Sequence, residues 1–225
     1  MRILILNPNA TARMTDSAVA VARAALPDAE IIGWTNSEGP PAIQGPEDGA
    51  EATKGLLALA PAARAEAFDA IIIACFDDTG LAELRAAVDC VVLGIGQASF
   101  HMAALSGKRF EVMTSLAVSV PVIAQNIEDT GFAAVCAGVH ATGLAVLEIE
   151  AGGAEVEERL RTHINEAAAR GAEAVVLGCC AMSPLRARLA MDAPVMVIDG
   201  VEAAVHLAAA VRGWTRVTGE DTRRK

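Results

Sequence analysis

The segment IIIACFDDTGL occupies residues 71–81 and has the pattern of a strand that ends in a cysteine, followed by a polar turn and a helix. A second segment of the same kind, VVLGCCAMSPL, occupies residues 175–185. The two align at an offset of 104 residues, which pairs Cys75 with Cys179 (179 − 75 = 104). A short apolar run bounded by turn residues is typical of a strand buried on both faces. Each segment therefore predicts a buried strand with a thiol at its carboxyl end.

The similarity between the two halves extends beyond the cysteines. At the same offset, Val91 aligns with Val195 and Gly96 with Gly200, and at an offset of 107 residues 2–6 align with 109–113. Strands of any α/β protein share their composition, and this explains part of the match. A cysteine at the same strand end, with the offset maintained into the next strand, favours an internal duplication.

The fold class follows from how apolar runs alternate with helical segments. Strands are predicted at 2–6, 29–34, 70–74, 91–93, 109–113, 133–139, 174–177 and 195–198. Helices are predicted at 15–26, 51–67 with a break at Pro61, 79–87, 99–105, from Ser119 onward, 155–169 and 201–211, and a long loop at 35–48. Such alternation is typical of parallel sheets covered by helices. We predict an α/β protein of two pseudo-symmetric Rossmann-like lobes, residues 1–97 and 98–203, with the active site in the cleft between them.

Composition excludes several classes of protein. The net charge of −10, an aromatic content of 3% and the absence of tyrosine disfavour nucleic-acid binding. No apolar run approaches the roughly 20 residues of a membrane span, and the N-terminal run is too short for a signal peptide. We therefore expect a cytoplasmic protein that does not enter the membrane. The histidines lack zinc-ligand spacing, so no metal is expected.

The glycines at 94 and 96 resemble the start of a dinucleotide-binding fingerprint. The third glycine is missing, because Ser99 stands in its place, and the motif follows the wrong strand of its lobe. No cofactor is expected. The partner expected from the sequence is a small-molecule substrate.

Two thiols on opposite sides of a cleft can exchange protons with one carbon. A thiolate removes the proton next to a carbonyl group, and the opposite thiol returns a proton to the other face. Both cysteines precede a predicted helix, whose dipole is expected to favour the thiolate. The backbone N–H groups of Phe76, Asp77, Cys180 and Ala181 are candidate donors to the enolate oxygen.

Other polar residues follow predicted strands. Asn7, Thr114 and Ser115 lie at the carboxyl ends of the first strand of each lobe, where α/β proteins bind ligands. They are candidates for substrate binding, although turn formation and helix capping suit them as well. Asp77 and Asp78 are candidate general bases, and turn and helix-cap roles suit them as well. Cys90 and Cys136 are interpreted as small core residues.

These motifs resemble the aspartate/glutamate racemase superfamily and, within it, the hydantoin racemase branch. The segments that carry the resemblance are LNPN at 6–9, ACFDDTGL at 74–81, GIGQASFH at 94–101, KRF and VMTS within 108–115, and LGCCAM at 177–182. The resemblance implies cofactor-independent racemisation of 5-substituted hydantoins, or of the related ureide allantoin, by Cys75 and Cys179. It also implies that residues 204–225 return to the first lobe, and that the chain forms a homo-oligomer.

The chain departs from the family pattern in a few positions. Many relatives carry glutamate at the positions of Gln44 and Gln97, and Gln44 is a further substrate-binding candidate. The second motif usually has glycine at the position of Ala181. Two other functions stay open: a superfamily relative with different chemistry (an amino-acid racemase, a decarboxylase or a maleate-type isomerase), or a non-enzymatic ligand-binding protein. The negative net charge weighs against a dicarboxylate substrate.

Overall fold

Two four-stranded parallel sheets form the fold of this computed structural model, which describes residues 1–218. The first sheet has the order β2-β1-β3-β4 and consists of β1 (Arg2–Asn7), β2 (Glu30–Thr35), β3 (Ala70–Ile73) and β4 (Val91–Gly94). The second has the order β6-β5-β7-β8 and consists of β5 (Phe110–Thr114), β6 (Cys136–Ala141), β7 (Ala174–Gly178) and β8 (Met196–Ile198). Because the two orders are equivalent, the pseudo-symmetric two-lobed α/β fold is confirmed.

Helices cover both sheets. The α-helices of the described residues are α1 (Ala12–Ala25), α2 (Pro46–Ala65), α3 (Leu81–Ala87), α4 (Ile95–Leu105), α5 (Val120–Asp129), α6 (Val146–Ala151), α7 (Ala154–Ala169), α8 (Arg186–Ala190) and α9 (Gly200–Thr218). Short 3₁₀ helices occupy Ala117–Ser119 and Cys180–Leu185. Within this described part of the chain, no helix is both long enough and apolar enough to cross a membrane.

Strands buried on both faces divide the core into three layers. Alternate side chains of the two sheets share a central cluster with α1, α4, α5 and α9, exemplified by Ile72, Phe100 and Val176. The opposite face of the first sheet packs on α2 and α3, through residues such as Leu56. The opposite face of the second sheet packs on α6 and α7, through residues such as Leu160. The apolar strands are therefore covered on both sides, as their continuous hydrophobic sequences predict.

Helix α9 packs against α1 and α4, and it also contacts β3 and β4 of the first sheet. The helix extends to Thr218, beyond the predicted end at 211. Residues 219–225, the end of the segment 204–225 that was expected to return to the first lobe, lie outside the described residues. The predicted boundary between 97 and 98 falls inside α4, and the division of the chain into domains stays a prediction.

The predicted break at Pro61 is wrong, because α2 continues through this residue to Ala65. Proline removes one backbone donor from a helix and strains the preceding turn. Leu56, Ala60 and Ala63 nevertheless bury one face of α2 against the first sheet on both sides of the proline. This packing holds the helix together. The loop predicted at 35–48 is also shorter than expected, since α2 starts at Pro46.

The sixth strand starts later than predicted. Residues 132–135 form a turn in which the Phe132 carbonyl accepts hydrogen bonds from the N–H groups of Val135 and Cys136, each at 3.1 Å. The strand therefore spans Cys136–Ala141. Helix α6 was not predicted, because so short a helix leaves no clear periodicity in the sequence. The helix predicted after Cys179 consists of the 3₁₀ helix Cys180–Leu185 and α8.

Candidate active site

The two predicted catalytic cysteines lie at the carboxyl edges of equivalent strands. Cys75 follows β3 by two residues and Cys179 directly follows β7. Both line one cavity between the lobes, which encloses about 380 Å³ of empty space, including the part that opens to solvent. The lining residues are Asn9, Met14, Ile43, Ala74, Cys75, Phe76, Asp77, Thr114, Ser115, Ser119, Val146, Gly178, Cys179, Cys180 and Ala181. A concave site lined mainly by apolar side chains, with a few polar groups among them, is typical of a small-molecule site.

The thiol of Cys75 is held in the neutral form. Burial raises its pKa well above the ordinary thiol range, and the negative charge of Asp77 raises it further. The Thr79 hydroxyl, whose Oγ1 lies 3.3 Å from the Cys75 Sγ, and the Asp77 backbone N–H lower it. The loss of hydration outweighs these two hydrogen bonds.

Cys179 is also held as a thiol. Burial raises its pKa to about 12, against the lowering effect of the Ala181 backbone N–H, and the charges of Asp77 and Glu150 add to the rise. The prediction that helix dipoles favour the thiolate at rest is therefore wrong. The reason is that desolvation of the sulfur exceeds the effect of the backbone donors.

Asp77 is the one charged side chain among the described residues that line the cavity. Burial raises the pKa of its carboxyl to about 6, and the Ser119 hydroxyl opposes this rise. Its backbone carbonyl accepts a 2.9 Å hydrogen bond from the Asn126 side chain in α5. The turn after Cys75 is thereby attached to the second lobe, and a negative charge is placed near both thiols.

Asp78 takes the capping role that was one of the alternatives for it, although the helix it caps is α4, which follows the next strand. Its Oδ1 accepts a hydrogen bond from the Gly96 N–H at 2.9 Å, and its Oδ2 accepts one from the Gln97 N–H at 2.7 Å. The carboxylate thus caps the amino end of α4, although its backbone has the strained φ of +52°. Since both oxygens are occupied, the general-base alternative for Asp78 has no support.

Gly94 and Gly96 leave the space in which the turn that contains Asp78 packs against the start of α4. A Cβ atom at Gly94 would overlap the Asp78 carboxylate, and one at Gly96 would overlap the Phe76 carbonyl oxygen. The two glycines therefore allow the turn after Cys75 to pack on α4. Their spacing has a packing explanation that requires no dinucleotide.

The position at the cavity that was predicted for Asn7 is occupied by Asn9, and Asn7 has a structural role in the turn. The Asn7 side chain donates hydrogen bonds to Asn9 Oδ1 at 3.0 Å, to Thr15 Oγ1 at 3.1 Å and to the Thr11 carbonyl at 3.2 Å. It organises the turn between β1 and α1 and does not line the cavity, whereas Asn9 does. A turn-forming motif such as LNPN contains both residues, so the sequence could not decide between them.

Thr114 is the last residue of β5, Ser115 follows it, and both line the cavity beside Cys179. The Thr114 hydroxyl donates to the Gly178 carbonyl at 3.0 Å, which ties β5 to β7 immediately before Cys179. Ser119, from which a helix was predicted, occupies the N-cap position of α5 without a side-chain capping bond and lies against Asp77. These residues contribute the hydroxyl groups of the cavity.

Gln44 lies outside the cavity lining. Its Oε1 accepts a 3.1 Å hydrogen bond from the Val146 N–H at the start of α6, so it connects the loop of the first lobe to the second lobe. Its neighbour Ile43 and Val146 itself line the cavity instead. The substrate-binding role predicted for Gln44 becomes a positioning role in this geometry.

The remaining predicted residues divide between lining and core. Phe76, Cys180 and Ala181 line the cavity, and the Phe76 ring packs edge-to-face on Phe100 with centroids 5.8 Å apart. Cys90 and Cys136 are half-buried against hydrophobic clusters and are absent from the cavity lining.

The cavity also has apolar lining residues that the sequence did not predict, namely Met14, Ile43 and Val146. They were missed because apolar side chains at a ligand cavity and in a core have the same sequence signal. Within residues 1–218, no group of three or more His, Cys, Asp or Glu side chains is arranged to hold a metal ion.

Each of the two equivalent parallel sheets contributes a cysteine to one shared cavity, and this arrangement defines a two-lobed α/β racemase fold. The chain belongs to the Asp/Glu/Hydantoin racemase family. The model of that family matches residues 3–208. The predicted family and the predicted enzyme class, an isomerase of the racemase type, are therefore confirmed.

Particular relatives make the comparison more specific. The hydantoin racemase of Rhizobium meliloti is 40% identical over 215 residues, which are 95% of this chain and 89% of that protein. The hydantoin racemase of Paenarthrobacter aurescens is 32% identical over 211 residues, covering 92% and 89%. The allantoin racemase structure from Klebsiella pneumoniae superposes with a TM-score of 0.91 at 34% identity, covering 95% of this chain and 88% of that chain.

Proposed function

We propose that this protein is a cofactor-independent racemase of 5-substituted hydantoins, or of a related ureide such as allantoin. The observation that carries the proposal is that Cys75 and Cys179, from equivalent strand ends of the two lobes, line the same cavity. The names of the relatives, hydantoin racemase and allantoin racemase, support this substrate class.

In the proposed reaction, each cysteine serves one face of C5 of the ring. The thiolate of one cysteine takes the C5 proton, so that the C–H bond breaks, an S–H bond forms and the electron pair moves to the neighbouring carbonyl oxygen. The opposite thiol then gives its proton to the other face of C5 and becomes the thiolate. The two cysteines end with exchanged protonation states, and the reverse reaction starts from there.

The raised thiol pKa values suit both steps. A thiolate whose conjugate acid has a high pKa is a strong base, which matches the weak acidity of a carbon acid. The partner must retain its proton until the enolate forms, and a pKa of about 12 at Cys179 ensures this at neutral pH. The consequence is that only a small fraction of the enzyme carries the reactive thiolate at rest.

The charge in the cavity favours a neutral ring with N–H donors. The Asp77 carboxylate can accept a hydrogen bond from a ring N–H, and it repels a substrate carboxylate. No Lys or Arg belongs to the described cavity lining, so a dicarboxylic amino acid would find no counter-charge there. This supports a hydantoin or ureide over aspartate or glutamate.

The test is a racemisation screen over hydantoins, allantoin, aspartate and glutamate, with circular dichroism to follow optical activity and mass spectrometry to follow deuterium from the solvent. We expect loss of optical activity with at least one hydantoin or with allantoin, accompanied by one deuterium at C5. Cys75→Ser and Cys179→Ser should each abolish racemisation. Normal racemisation by the Cys179→Ser variant would exclude the two-cysteine mechanism.

Two further expectations accompany this function without support from the comparisons. The cytoplasmic location and the homo-oligomer, expected from the sequence and from the family resemblance, stay predictions. Size-exclusion chromatography with light scattering measures the second directly.

A further inference from the structure

The cavity has two chemically different sides. Near Cys75 lie the Asp77 carboxylate, the Ser119 hydroxyl and the Thr79 hydroxyl. Cys179 belongs to the hydrophobic cluster that also contains Met14 and Val146, and the hydroxyl residues Thr114 and Ser115 lie on its other side. The two thiols are therefore equivalent in the fold but differ in their surroundings.

Three side chains from three elements form what we call the apolar wall: Met14 of α1, Ile43 of the loop before α2, and Val146 of α6. All three line the cavity, and all three are buried. The wall spans both lobes, since Met14 and Ile43 belong to the first and Val146 to the second.

Two contacts between the lobes hold the apolar wall together. The Gln44 side chain accepts the 3.1 Å hydrogen bond from the Val146 N–H. Arg13, the neighbour of Met14, forms an ion pair with Glu150 of α6, with 3.2 Å between Nε and Oε1. The residues next to the wall therefore connect the first lobe to α6 of the second.

The polar side chain beside the apolar wall is already bonded within the protein. Asn9 Oδ1 accepts hydrogen bonds from the Asn7 side chain at 3.0 Å and from the Thr11 N–H at 2.9 Å. Asn9 Nδ2 donates to Met14 Sδ at 3.3 Å. A ligand group at the wall that carries N–H donors would find no free acceptor among these side chains.

We propose that Met14, Ile43 and Val146 receive the substituent at C5 of the ring and select hydrocarbon substituents over the ureido group of allantoin. This inference rests on the proposed function, since it concerns the substrate of the same site. The reason is physical: a ureido group that loses water against an apolar surface leaves its donors unpaired, whereas an alkyl group gains by leaving water.

The first measurement compares kcat/KM of the wild-type enzyme for L-5-isobutylhydantoin and for allantoin, after subtraction of the uncatalysed rates. We expect a preference of roughly 100-fold for the isobutyl compound, the discrimination that one apolar pocket commonly provides. An equal rate, or a preference for allantoin, would overturn the inference.

The second measurement uses Val146→Thr, which replaces one methyl group with a hydroxyl and preserves the N–H bonded to Gln44. The expected result is a fall of about tenfold in the isobutylhydantoin-to-allantoin ratio. Val156→Thr is the matched control, because Val156 is buried in the same cluster but does not line the cavity. Equal shifts of the ratio in both variants would contradict a specific role of the wall.

The third measurement separates the substituent from the thiol chemistry. Hydantoin without a C5 substituent still has exchangeable C5 protons, so deuterium uptake from D₂O reports proton transfer alone. Val156→Thr, outside the cavity lining, should leave this uptake unchanged, and the uptake by Val146→Thr shows that this variant still transfers protons when its substrate ratio is measured. Met14→Gln provides a second polar variant of the wall if Val146→Thr does not fold. If the wild-type enzyme exchanges the C5 protons of no hydantoin, the proposed function fails, and this inference fails with it. If exchange occurs but neither Val146→Thr nor Met14→Gln changes the isobutylhydantoin-to-allantoin ratio, only this inference fails.

Discussion

The Gln44 side chain accepts a hydrogen bond from the backbone N–H of Val146, with 3.1 Å between Oε1 and N, and thereby joins the two lobes above the cavity. The bond also satisfies a donor at the start of α6, where helix N–H groups lack partners within the helix. A residue that does not line the cavity thus connects two residues that do, its chain neighbour Ile43 and its hydrogen-bond partner Val146.

Replacing Gln44 with alanine should weaken binding of C5-substituted substrates. Loss of one hydrogen bond of this kind costs about 1 kcal/mol, so we expect KM to rise about fivefold, with a smaller change in kcat. Gln44→Glu retains an acceptor for the Val146 N–H and should behave like the wild type. Steady-state kinetics with L-5-isobutylhydantoin checks this, and an unchanged KM in Gln44→Ala would contradict a positioning role.

Replacing Asp78 with asparagine should destabilise the fold. The carboxylate accepts bonds from both Gly96 and Gln97, and an amide presents its NH₂ group to one of these donors. We expect a loss of about 1–3 kcal/mol in the free energy of unfolding. Urea denaturation measures it, with Asp89→Asn as the control at an exposed carboxylate. Similar losses in the two variants would show that Asp78 has no special role.

Stability should fall as pH rises from about 4 to about 7. Burial raises the pKa of Asp77 from 3.8 to about 6 and that of Asp78 from 3.8 to about 7. The folded protein therefore binds more protons than the unfolded chain in this window, and raising the pH favours unfolding. Urea denaturation at about pH 5 and about pH 7.5 tests this. Asp77→Asn should reduce the difference, and an equal difference in both proteins would contradict the shift at Asp77.

Activity should rise with pH above neutrality, because both thiol pKa values are raised and the reaction needs one thiolate. The charge of Asp77 contributes to both rises. Asp77→Asn should therefore displace the pH profile of kcat/KM to lower pH, even if its maximum falls through the loss of an acceptor for the substrate. A profile that retains its midpoint in this variant would exclude electrostatic coupling between Asp77 and the thiols.

The sequence contained enough information for the architecture but less for the site. The offset of 104 residues between Cys75 and Cys179 predicted the equivalent strands, because a duplicated strand order leaves aligned apolar runs. The continuation of α2 through Pro61 was not predictable, since it depends on packing against a sheet that is distant in sequence.

Site residues were harder to assign for the same reason. Asn7 and Asn9 belong to one turn, and only the fold determines which side chain points inward. The sign of the thiol pKa shifts was predicted incorrectly, because a helix dipole can be read from a sequence whereas the burial of Cys75 and Cys179 cannot. Asp78, in the turn after β3, packs against Gly94 at the end of β4, and no local sequence pattern predicts this contact.

The central claim, that Cys75 and Cys179 serve opposite faces of one carbon, is tested most directly by stereospecific deuterium exchange in the single-cysteine variants. Each pure enantiomer of 5-isobutylhydantoin is incubated in D₂O with Cys75→Ser or Cys179→Ser, and uptake of deuterium is measured separately from loss of optical activity. The account predicts that each variant exchanges one enantiomer only, without inversion, and that the two variants act on opposite enantiomers. Exchange of the same enantiomer by both variants, or racemisation at the wild-type rate by either, would contradict it.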